Sequence, residues 1–481
     1  MPHVHGAGHG HPPHVPRGSF VKPGRFGRMF PNLRPLHVSD EAIATLAAAM
    51  KEAPGQEESE QLSNPDLPAG FTYFGQFVDH DITLDTTPMP ERSLDPMQVH
   101  NFRTPALDLD SVYGDGPAVQ PYLYQRSDNR LFLIGQTKPS ANPDRPEQLP
   151  ASPNDLPRNS QGFALIGDPR NDENLVVAQT HLAFLKFHNK VVTTKNLSFE
   201  DARRTVTWHY QWIVLHDFVA RLVGKDVLDA ALDKRRFYSF KDEPFIPVEF
   251  AVAAYRFGHS LVRETYDHNR VFGPGPGRLA PGSLALLFRF TGLSGTIDGS
   301  AGNEALPSNW VIDWRAFHEL DQLPAGRRFN QARLIDPLLV PALHTLPGGG
   351  GSLPQRNLTR GVRMELPSGQ SVARSMRIDP LTPEEIANGP AGAAAKAAKL
   401  THHTPLWFYI LQEASIKEGG RKLGPVGARI VADVFVGLLE GDSTSFLAEN
   451  RRWKPDLGPQ RGTFTMANLL RFVDELNPVG D

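Results

Sequence analysis

Apolar residues recur at helical spacing along most of this chain, and the alternation that is typical of strands is scarce. The strongest pattern covers residues 174–192, where Leu175, Ala178, Leu182 and Leu185 contribute to one wide apolar face. Similar patterns predict long helices over 202–223 and 247–263, and the second begins with a proline, whose missing N–H costs nothing there. Shorter helices are predicted at 39–51, 71–84, 357–365 and 372–375, from 382 onward, and at 423–439. The chain is therefore predicted to be mainly α-helical, with little β structure.

Long segments without periodicity separate these helices. Residues 85–160 and 273–350 are broken by proline and glycine and are predicted to be loops, which usually serve a purpose at this length. Residues 1–20 have almost no apolar side chains and cannot order themselves by burial; they carry His3, His5, His9, His11 and His14. We therefore expect a disordered or surface-lying arm over 1–20 and a single large domain with long loops over 21–481.

The composition excludes several classes of function. The 481 residues are 40% hydrophobic and 21% charged, which suits a globular protein with a sizeable core. A net charge of -3 gives no reason to expect a nucleic acid partner, and the absence of cysteine excludes disulfides, thiolate metal sites and cysteine nucleophiles. No apolar run reaches the roughly 18 residues of a membrane span, and the N-terminus lacks the pattern of a secretory signal. A cytoplasmic location is the default expectation, with non-classical secretion left open.

A histidine between two carboxylates follows an apolar run, in the stretch Phe74-Gly75-Gln76-Phe77-Val78-Asp79-His80-Asp81. Such a triplet is costly to bury unless its charges have partners. A histidine that moves protons needs a neighbour that fixes its tautomer, and a carboxylate that faces away from it is free to hold a hard cation. The partners of His80 must therefore come from other parts of the chain.

Three further stretches carry polar groups in suggestive patterns. Residues 104–110 read Thr-Pro-Ala-Leu-Asp-Leu-Asp, and in an extended loop this spacing of two turns oxygen ligands to one side, as calcium requires. Residues 167–174 read Gly-Asp-Pro-Arg-Asn-Asp-Glu-Asn, directly before the long helix. Residues 255–259 read Tyr-Arg-Phe-Gly-His, inside an apolar helix. Each stretch alone has an ordinary explanation, such as a core histidine, a capping arginine or a solvated acidic turn.

Taken together and in chain order, these stretches resemble the animal haem peroxidase family of the peroxidase–cyclooxygenase superfamily, in its compact bacterial form. The resemblance runs from Phe71 to about Arg451 and includes the motifs Leu185-Lys186-Phe187-His188-Asn189, Arg356-Asn357-Leu358-Thr359-Arg360-Gly361 and Leu423-Gly424-Pro425-Val426-Gly427. One motif is weak evidence, but the whole series in the family's order is specific. It implies one haem peroxidase domain that binds haem b.

The resemblance also assigns roles to individual residues. His80 matches the distal histidine that carries protons, Gln76 the glutamine that orders pocket water, and Arg170 the distal arginine. On the other side of the haem, His259 matches the proximal ligand of the iron, Asn357 its hydrogen-bond partner, and Arg256 the arginine near a haem propionate.

Covalent attachment is a further implication of the resemblance. Asp79 and Glu173 match the carboxylates that form esters with haem methyl groups in mammalian members. Asn174 stands where a mammalian member has a methionine, so a sulfonium link is not expected.

The family also binds calcium beside the distal helix. Its ligands correspond here to Asp81, Thr104, Ala106 (through its backbone carbonyl), Asp108 and Asp110. Mammalian members have serine at the last position, so Asp110 adds a negative charge without removing an oxygen.

The expected activity is a haem-dependent peroxidase that uses hydrogen peroxide to oxidise a small electron donor through a ferryl intermediate. The residue chemistry agrees, because cleavage of peroxide needs a base to move a proton, and a neutral histidine serves near pH 7. It also needs a fixed positive charge over the breaking bond, which arginine supplies, and a histidine ligand on the iron that a neighbouring group tunes.

Two other functions remain as alternatives. Fatty-acid dioxygenases of the cyclooxygenase type use a radical tyrosine three positions before the proximal histidine, where this chain has Arg256. Tyr255 lies one step earlier and, in an α-helix, is expected to point about 100° away. A non-catalytic haem-binding or peroxide-sensing protein is the second alternative, and the presence of His80 and Arg170 argues against it.

Overall fold

The computed structural model describes residues 26–53, 55–56, 59–84, 101–142, 145–241, 243–292, 305–346 and 350–481, and within them the architecture is mainly α-helical, as predicted. The arm predicted over residues 1–20 lies outside the described residues. The α-helices are α1 (Asp40–Ala49), α2 (Gly70–Ile82), α3 (Asp110–Tyr113), α4 (Leu175–Lys195), α5 (Phe199–Ile213), α6 (Ala220–Val223), α7 (Lys225–Asp233), α8 (Val248–Ala251), α9 (Leu284–Leu287), α10 (Leu353–Arg363), α11 (Gly369–Ser375), α12 (Pro383–Asn388), α13 (Gly392–Ala397), α14 (Leu406–Glu418), α15 (Pro425–Gly441), α16 (Phe446–Glu449) and α17 (Met466–Val473).

Short strands pair two by two, and the pairs β1–β5 and β2–β8 join segments that are distant in the sequence. They are β1 (Phe26–Gly27), β2 (Ser63–Pro68), β3 (Ser140–Asn142), β4 (Arg145–Leu149), β5 (Ile246–Pro247), β6 (Thr265–Tyr266), β7 (Gly282–Ser283) and β8 (Gln331–Arg333). The pair β1–β5 is parallel, whereas β2–β8, β3–β4 and β6–β7 are antiparallel. Within the described ranges, no helix combines the length and hydropathy that crossing a membrane requires.

Short 3₁₀ helices occur between these elements in the described chain. The 3₁₀ helices are Glu60–Leu62, Pro121–Leu123, Pro169–Asp172, Ala254–Leu261, Ser308–Trp310, Trp314–Ala316 and Pro341–His344. The turn Pro169–Asp172 leads directly into α4, whose N-cap is Asn174, with its side-chain oxygen accepting a hydrogen bond from the Val177 amide. Capping by asparagine satisfies an otherwise unpaired N–H of the first turn.

Two of the three predicted long helices are not regular. The segment predicted at 202–223 is helical, but it contains a π-helical stretch, Val214–Val219, between α5 and α6. The helix predicted over 247–263 is wrong as a single α-helix, because α8 ends at Ala251 and a 3₁₀ helix follows from Ala254 to Leu261. At this break, the Arg256 side chain donates from Nε to the Ala251 carbonyl at 3.1 Å. A side-chain donor thus replaces a backbone hydrogen bond that the sequence pattern assumes.

Helix α2 lies at the centre of the fold and positions the functional groups. It packs against α4 and against the 3₁₀ helix Ala254–Leu261. Phe74 and Phe77 of α2 are fully buried, and the Phe77 ring stacks on Phe184 of α4 with ring centroids 5.0 Å apart. Apolar packing on several sides therefore fixes the helix that ends in Asp79, His80 and Asp81.

Candidate active site

One cavity of about 490 Å³ brings together most of the residues that the sequence singles out. Gln76, Asp79 and His80 line it from α2, Arg170 and Glu173 from the turn before α4, and Arg256 and His259 from the 3₁₀ helix Ala254–Leu261. Its volume lies within the roughly 300–1,000 Å³ range of cofactor pockets. Gly258 also lines the cavity, and a Cβ built on it would meet no atom within 4 Å. The cavity therefore passes directly over the backbone beside His259.

His80 is held as a neutral imidazole with one nitrogen available as a base. Its Nδ1 lies 2.9 Å from Oδ1 of Asn171. Because an amide oxygen only accepts, the proton of His80 resides on Nδ1 and Nε2 keeps a free lone pair. Burial and then the charge of Arg170 lower the pKa of His80 to about 3. The ring is therefore uncharged at neutral pH.

The orientation of the Asn171 amide is itself fixed by a hydrogen bond to His181. Its Nδ2 lies 3.0 Å from Nδ1 of His181, a fully buried residue of α4. Burial lowers the pKa of His181 to about 3, so this ring is neutral and its Nδ1 accepts from the amide. The series His181, Asn171, His80 thus sets which nitrogen of His80 carries the proton.

Arg170 is anchored by most of its nitrogen atoms. Nε and Nη2 donate to the carboxylate of Asp168, and Nη2 also donates to the carbonyls of His80 at 2.9 Å and Thr83 at 2.6 Å. Within the described part of the chain, Nη1 of Arg170 makes no hydrogen bond. Burial alone would raise the pKa of Asp168, but the Arg170 and Arg103 guanidinium groups lower it well below its usual range. The carboxylate is therefore ionised, and Arg170 presents one donor nitrogen at the cavity.

His259 and Asn357 are brought together from two separate elements. Nδ1 of His259 lies 2.7 Å from Nδ2 of Asn357, which belongs to α10. Arg256 donates from Nη1 to Oδ1 of the same asparagine at 2.6 Å. Burial, then the charges of Arg256 and Arg356, lower the pKa of His259 to about 3. Because the Asn357 amide nitrogen donates to Nδ1, the proton of the neutral imidazole lies on Nε2, the nitrogen left for the cavity. Binding of a metal through Nε2 therefore requires this proton to move to Nδ1 and the Asn357 amide to turn its oxygen toward the ring.

The side-chain amide of Gln76 joins Asn174 to Glu173, while Asp79 is held separately by Thr83. Asn174 donates from Nδ2 to Oε1 of Gln76 at 3.0 Å, and Gln76 donates from Nε2 to Oε2 of Glu173 at 3.4 Å. Asp79 accepts from the Thr83 hydroxyl at 3.1 Å. Burial raises the pKa of Asp79, and burial together with the charges of Asp168 and Asp79 raises that of Glu173 to about 7. Both carboxyl groups are thus costly to hold in the charged form.

Asp81, Asp108 and Asp110 form an acidic cluster whose ligand oxygens lie within 4.8 Å of one another. Burial and then the charge of Asp110 raise the pKa of Asp81 to about 7, and burial raises the pKa of Asp108 and Asp110 as well. Thr104 donates from its hydroxyl to Oδ2 of Asp108 at 2.9 Å. Such crowded hard oxygens suit a divalent cation such as calcium.

The loop of the acidic cluster differs from the extended segment that the spacing predicts. Residues 103–108 follow a series of bends, and Asp110 begins the short helix α3 after Leu109, whose φ is 57°. Ala106 is buried in this loop. The side chains converge because the loop folds around Asp81, which accepts from the Leu109 amide at 3.2 Å and the Ser111 hydroxyl at 3.1 Å. Folding of the loop, rather than alternation, brings the carboxylates together.

Tyr255 lies at the cavity as well, contrary to the expectation that it points away. Its hydroxyl donates to the Gly75 carbonyl of α2 at 3.1 Å, and both Tyr255 and Arg256 line the cavity. This segment is a 3₁₀ helix with three residues per turn, so Tyr255 and Arg256 still point in different directions. Tyr255 nevertheless belongs to the site because the cavity reaches both side chains.

Sequence reasoning missed several residues that set the geometry of the site. Asn171 had a signal, since it follows Arg170 within the recognised motif, but His181 looked like one core residue of an apolar helix among others. The pairing of Arg103 with Asp168 and Asp110 joins residues 65 and 7 positions apart and has no local signature.

Comparison with known proteins shows similarity to animal haem peroxidases over part of the chain. A sequence model described as animal haem peroxidase matches residues 85–273. A peroxidase-like protein of Margaritifera margaritifera is 28% identical over 278 residues, which cover 46% of this chain and 34% of that protein. Thyroid peroxidase of Rattus norvegicus is 26% identical over 181 residues, which cover 35% of this chain and 20% of that protein. The chain thus spans about a third or less of the length of these curated relatives.

Solved structures show the same fold at low sequence identity. Peroxidase A from Dictyostelium discoideum matches with a TM-score of 0.60 and 16% identity, over 96% of this chain and 94% of that chain. Oryza sativa fatty acid α-dioxygenase matches with a TM-score of 0.58 and 16% identity, over 92% of this chain and 78% of that chain. The chain is thus similar to animal haem peroxidases over residues 85–273, and it shares its fold with these solved structures.

Proposed function

We propose that this protein is a haem b-dependent peroxidase that uses hydrogen peroxide to oxidise a small electron donor. The observation that supports this most strongly is that His80, Arg170 and His259 line one cavity, each held by its own hydrogen-bond partner. A proton acceptor, a fixed cation and a neutral imidazole are the groups that cleavage of a peroxide bond at a haem requires.

The residues around the cavity fit a haem. His259 would hold the iron through Nε2 once its proton has moved to Nδ1, and Asn357 would then orient the ring by accepting from Nδ1 through its amide oxygen. Arg256, which lines the cavity and touches Asn357, offers a cation to a haem propionate. Haem, when bound, supplies the redox chemistry, while the protein supplies orientation and electrostatics.

His80 and Arg170 would act on the bound peroxide at different moments. Nε2 of His80 accepts the proton of one peroxide oxygen and returns it to the other, so that the departing oxygen leaves as water. Arg170 places positive charge, through Nη1, beside the bond whose cleavage develops negative charge. Gln76 would order water next to His80. The rigid anchoring of both groups means that little reorganisation is needed.

Asp79 and Glu173 are proposed as sites of ester attachment to the haem. Burial makes the charged form of both carboxyl groups costly, and an ester is uncharged. Forming the ester would replace a C–H bond of a haem methyl group by a C–O bond, an oxidation by two electrons for which hydrogen peroxide would be the oxidant. The uncharged product would remove the electrostatic penalty that the free carboxylates carry.

The acidic cluster is proposed to bind calcium, with Asp81, Asp108 and Asp110 as ligands together with Thr104 and the carbonyl of Ala106. Three buried carboxylates in contact repel one another, and a divalent cation would offset this repulsion. Because Asp81 follows His80 directly, the same cation would fix the end of α2.

Oxygenation of a fatty acid is the second candidate function. It is favoured by Tyr255, a buried phenol that lines the cavity four positions before His259. A fatty acid that is consumed with O₂, in the absence of added peroxide, would support this candidate. Loss of that consumption in Tyr255→Phe would assign it to the phenol.

Haem binding is tested most simply by titrating the purified protein with haem and recording the Soret absorption. We expect a stoichiometric, six- or five-coordinate histidine spectrum in the parent and its loss or large shift in His259→Ala. His268→Ala removes another buried histidine, which donates from Nε2 to the Trp310 carbonyl at 2.8 Å and does not line the cavity, and should keep the parent spectrum. An unchanged haem spectrum in His259→Ala would contradict the assignment.

A further inference from the structure

Arg103 lies buried between the acidic cluster and the turn that carries Arg170. Its Nη1 donates to Oδ1 of Asp110 at 3.1 Å, and its Nε donates to Oδ2 of Asp168 at 3.0 Å. Nη2 bonds the same Asp168 oxygen and the Gly167 carbonyl, the latter at 3.2 Å. One guanidinium group therefore spans two segments that are about 60 residues apart in the sequence.

Asp168 also forms an ion pair with Arg170 and so connects Arg103 to it. Its carboxylate is fully buried and is shared by two guanidinium groups, with Arg170 bonding from its backbone N at 2.9 Å and from Nη2 at 2.8 Å. Asp168 is also the N-cap of the 3₁₀ turn Pro169–Asp172. Removing the partner of a buried carboxylate leaves a charge that must find new partners or move toward water.

The two segments also touch through their backbones at Gly167. A Cβ built on this glycine would lie 2.5 Å from the Ser111 carbonyl oxygen and 2.9 Å from that of Asp110. This contact leaves no room for a side chain, so the backbones of the acidic-cluster loop and the Arg170 turn pack directly against each other. The ionic connection and the backbone contact thus join the same two segments.

We propose that Arg103 is a positioning residue that couples the acidic cluster to Arg170. A change of charge in the cluster changes the strength of the ion pair between Arg103 and Asp110. This changes the ion pair between Arg103 and Asp168, and with it the position of the Arg170 side chain. The catalytic consequence rests on the proposed peroxidase function, whereas the coupling itself concerns only residues of the chain.

The coupling is tested by hydrogen exchange, measured by mass spectrometry on peptides that cover residues 166–173, for the parent, Arg103→Met, Asp110→Asn and the double variant. We expect exchange in this turn, where the Asn171 and Glu173 amides bond the Asp168 and Arg170 carbonyls, to rise about tenfold in Arg103→Met. Asp110→Asn should raise it in the parent background and add nothing in the Arg103→Met background. Unchanged exchange in Arg103→Met, or additive effects, would overturn the proposal.

Two further variants distinguish loss of this coupling from a general loss of stability. Arg333→Met removes another buried arginine, which pairs with Glu52, and should leave exchange at 166–173 as in the parent; an equal rise would overturn the proposal. Arg103→Lys keeps the charge but offers a point donor that does not span both carboxylates, so it should fold and still lose the response to Asp110→Asn. A retained response in Arg103→Lys would overturn the bridging geometry.

The catalytic consequence is measured separately by mixing haem-loaded protein with peroxide. Arg103→Met should react about tenfold more slowly than the parent with an unchanged haem spectrum, because a small misplacement of a catalytic group is costly. If the parent reacts with peroxide and Arg103→Met reacts equally fast, the catalytic role of the coupling is overturned. A parent that does not react at all would instead overturn the proposed peroxidase function and leave the exchange result in place.

Discussion

His80 is positioned by an asparagine and not by either of the carboxylates that flank it in the sequence. Asp79 faces Thr83 and the cavity, and Asp81 joins the acidic cluster, while Nδ1 of His80 meets Asn171. A neutral partner leaves the pKa of His80 at about 3, which burial and Arg170 have lowered. A carboxylate partner would stabilise the imidazolium and raise this pKa. The residue types were readable from the sequence, but their pairing depends on how α2 and the Arg170 turn meet.

Replacing Asn171 by aspartate should therefore introduce a pH dependence. In the parent, His80 stays neutral down to about pH 4. Because it does not become protonated between pH 5 and 8, the rate of reaction with peroxide should not change with pH over this range. In Asn171→Asp the pKa of His80 rises, so the rate should fall as the pH is lowered through the new value. Stopped-flow rates across this range check it. Identical pH profiles in parent and variant would exclude Asn171 as the partner that sets His80.

Covalent attachment is a second question at the scale of single residues. After treatment with peroxide, acid–organic extraction should leave part of the haem on the parent chain, because ester formation removes the buried charge of Asp79 or Glu173. The double variant Asp79→Asn, Glu173→Gln should release all of it, while Glu413→Gln, another buried carboxyl group outside the cavity, should behave as the parent. Complete release from the parent would rule out the ester bonds.

At the scale of elements, periodicity predicted those helices whose stability comes from one apolar face. Helices α1, α2 and α4 begin and end close to the predicted positions, with Ser39 and Asn174 as caps. The segment 247–263 failed the prediction because Arg256 and Trp407 donate to carbonyls at 251 and 256 from side chains, which no local pattern encodes. The broken segment is the one that carries His259, as is common for functional sites.

Removing calcium should destabilise the end of α2. A cation present at a hundred times its Kd adds about 2.7 kcal/mol to the stability of the native state. Chelation should therefore lower the melting temperature of the parent, and Asp108→Asn should melt low with or without the chelator. Asp217→Asn, a buried aspartate that pairs with Arg221 outside the cluster, should keep the response. A parent without bound calcium and with unchanged melting after chelation would contradict the site.

At the scale of the whole molecule, residues from four distant stretches meet in one cavity. The order of the motifs indicated which residues belong together; in the structure His80, Arg170 and His259 line one cavity, and Asn357 is hydrogen-bonded to His259. The sequence did not reveal the contacts that hold these residues in place. These are the hydrogen bond between Asn171 and His181 and the ion pair between Arg103 and Asp168. These contacts join residues by tertiary packing and leave no periodic trace.

The most direct test of this account is the rate at which the haem-loaded protein reacts with peroxide, measured by stopped-flow mixing of the parent, His80→Ala, Arg170→Ala and the double variant. Loss of the base should slow the reaction by about 10²- to 10⁴-fold and loss of the cation by about 10²- to 10³-fold, with haem still bound through His259. Because both groups act on one transition state, the double variant should lose less than the product of the single losses. A His80→Ala protein that keeps its haem and reacts as fast as the parent would contradict the account.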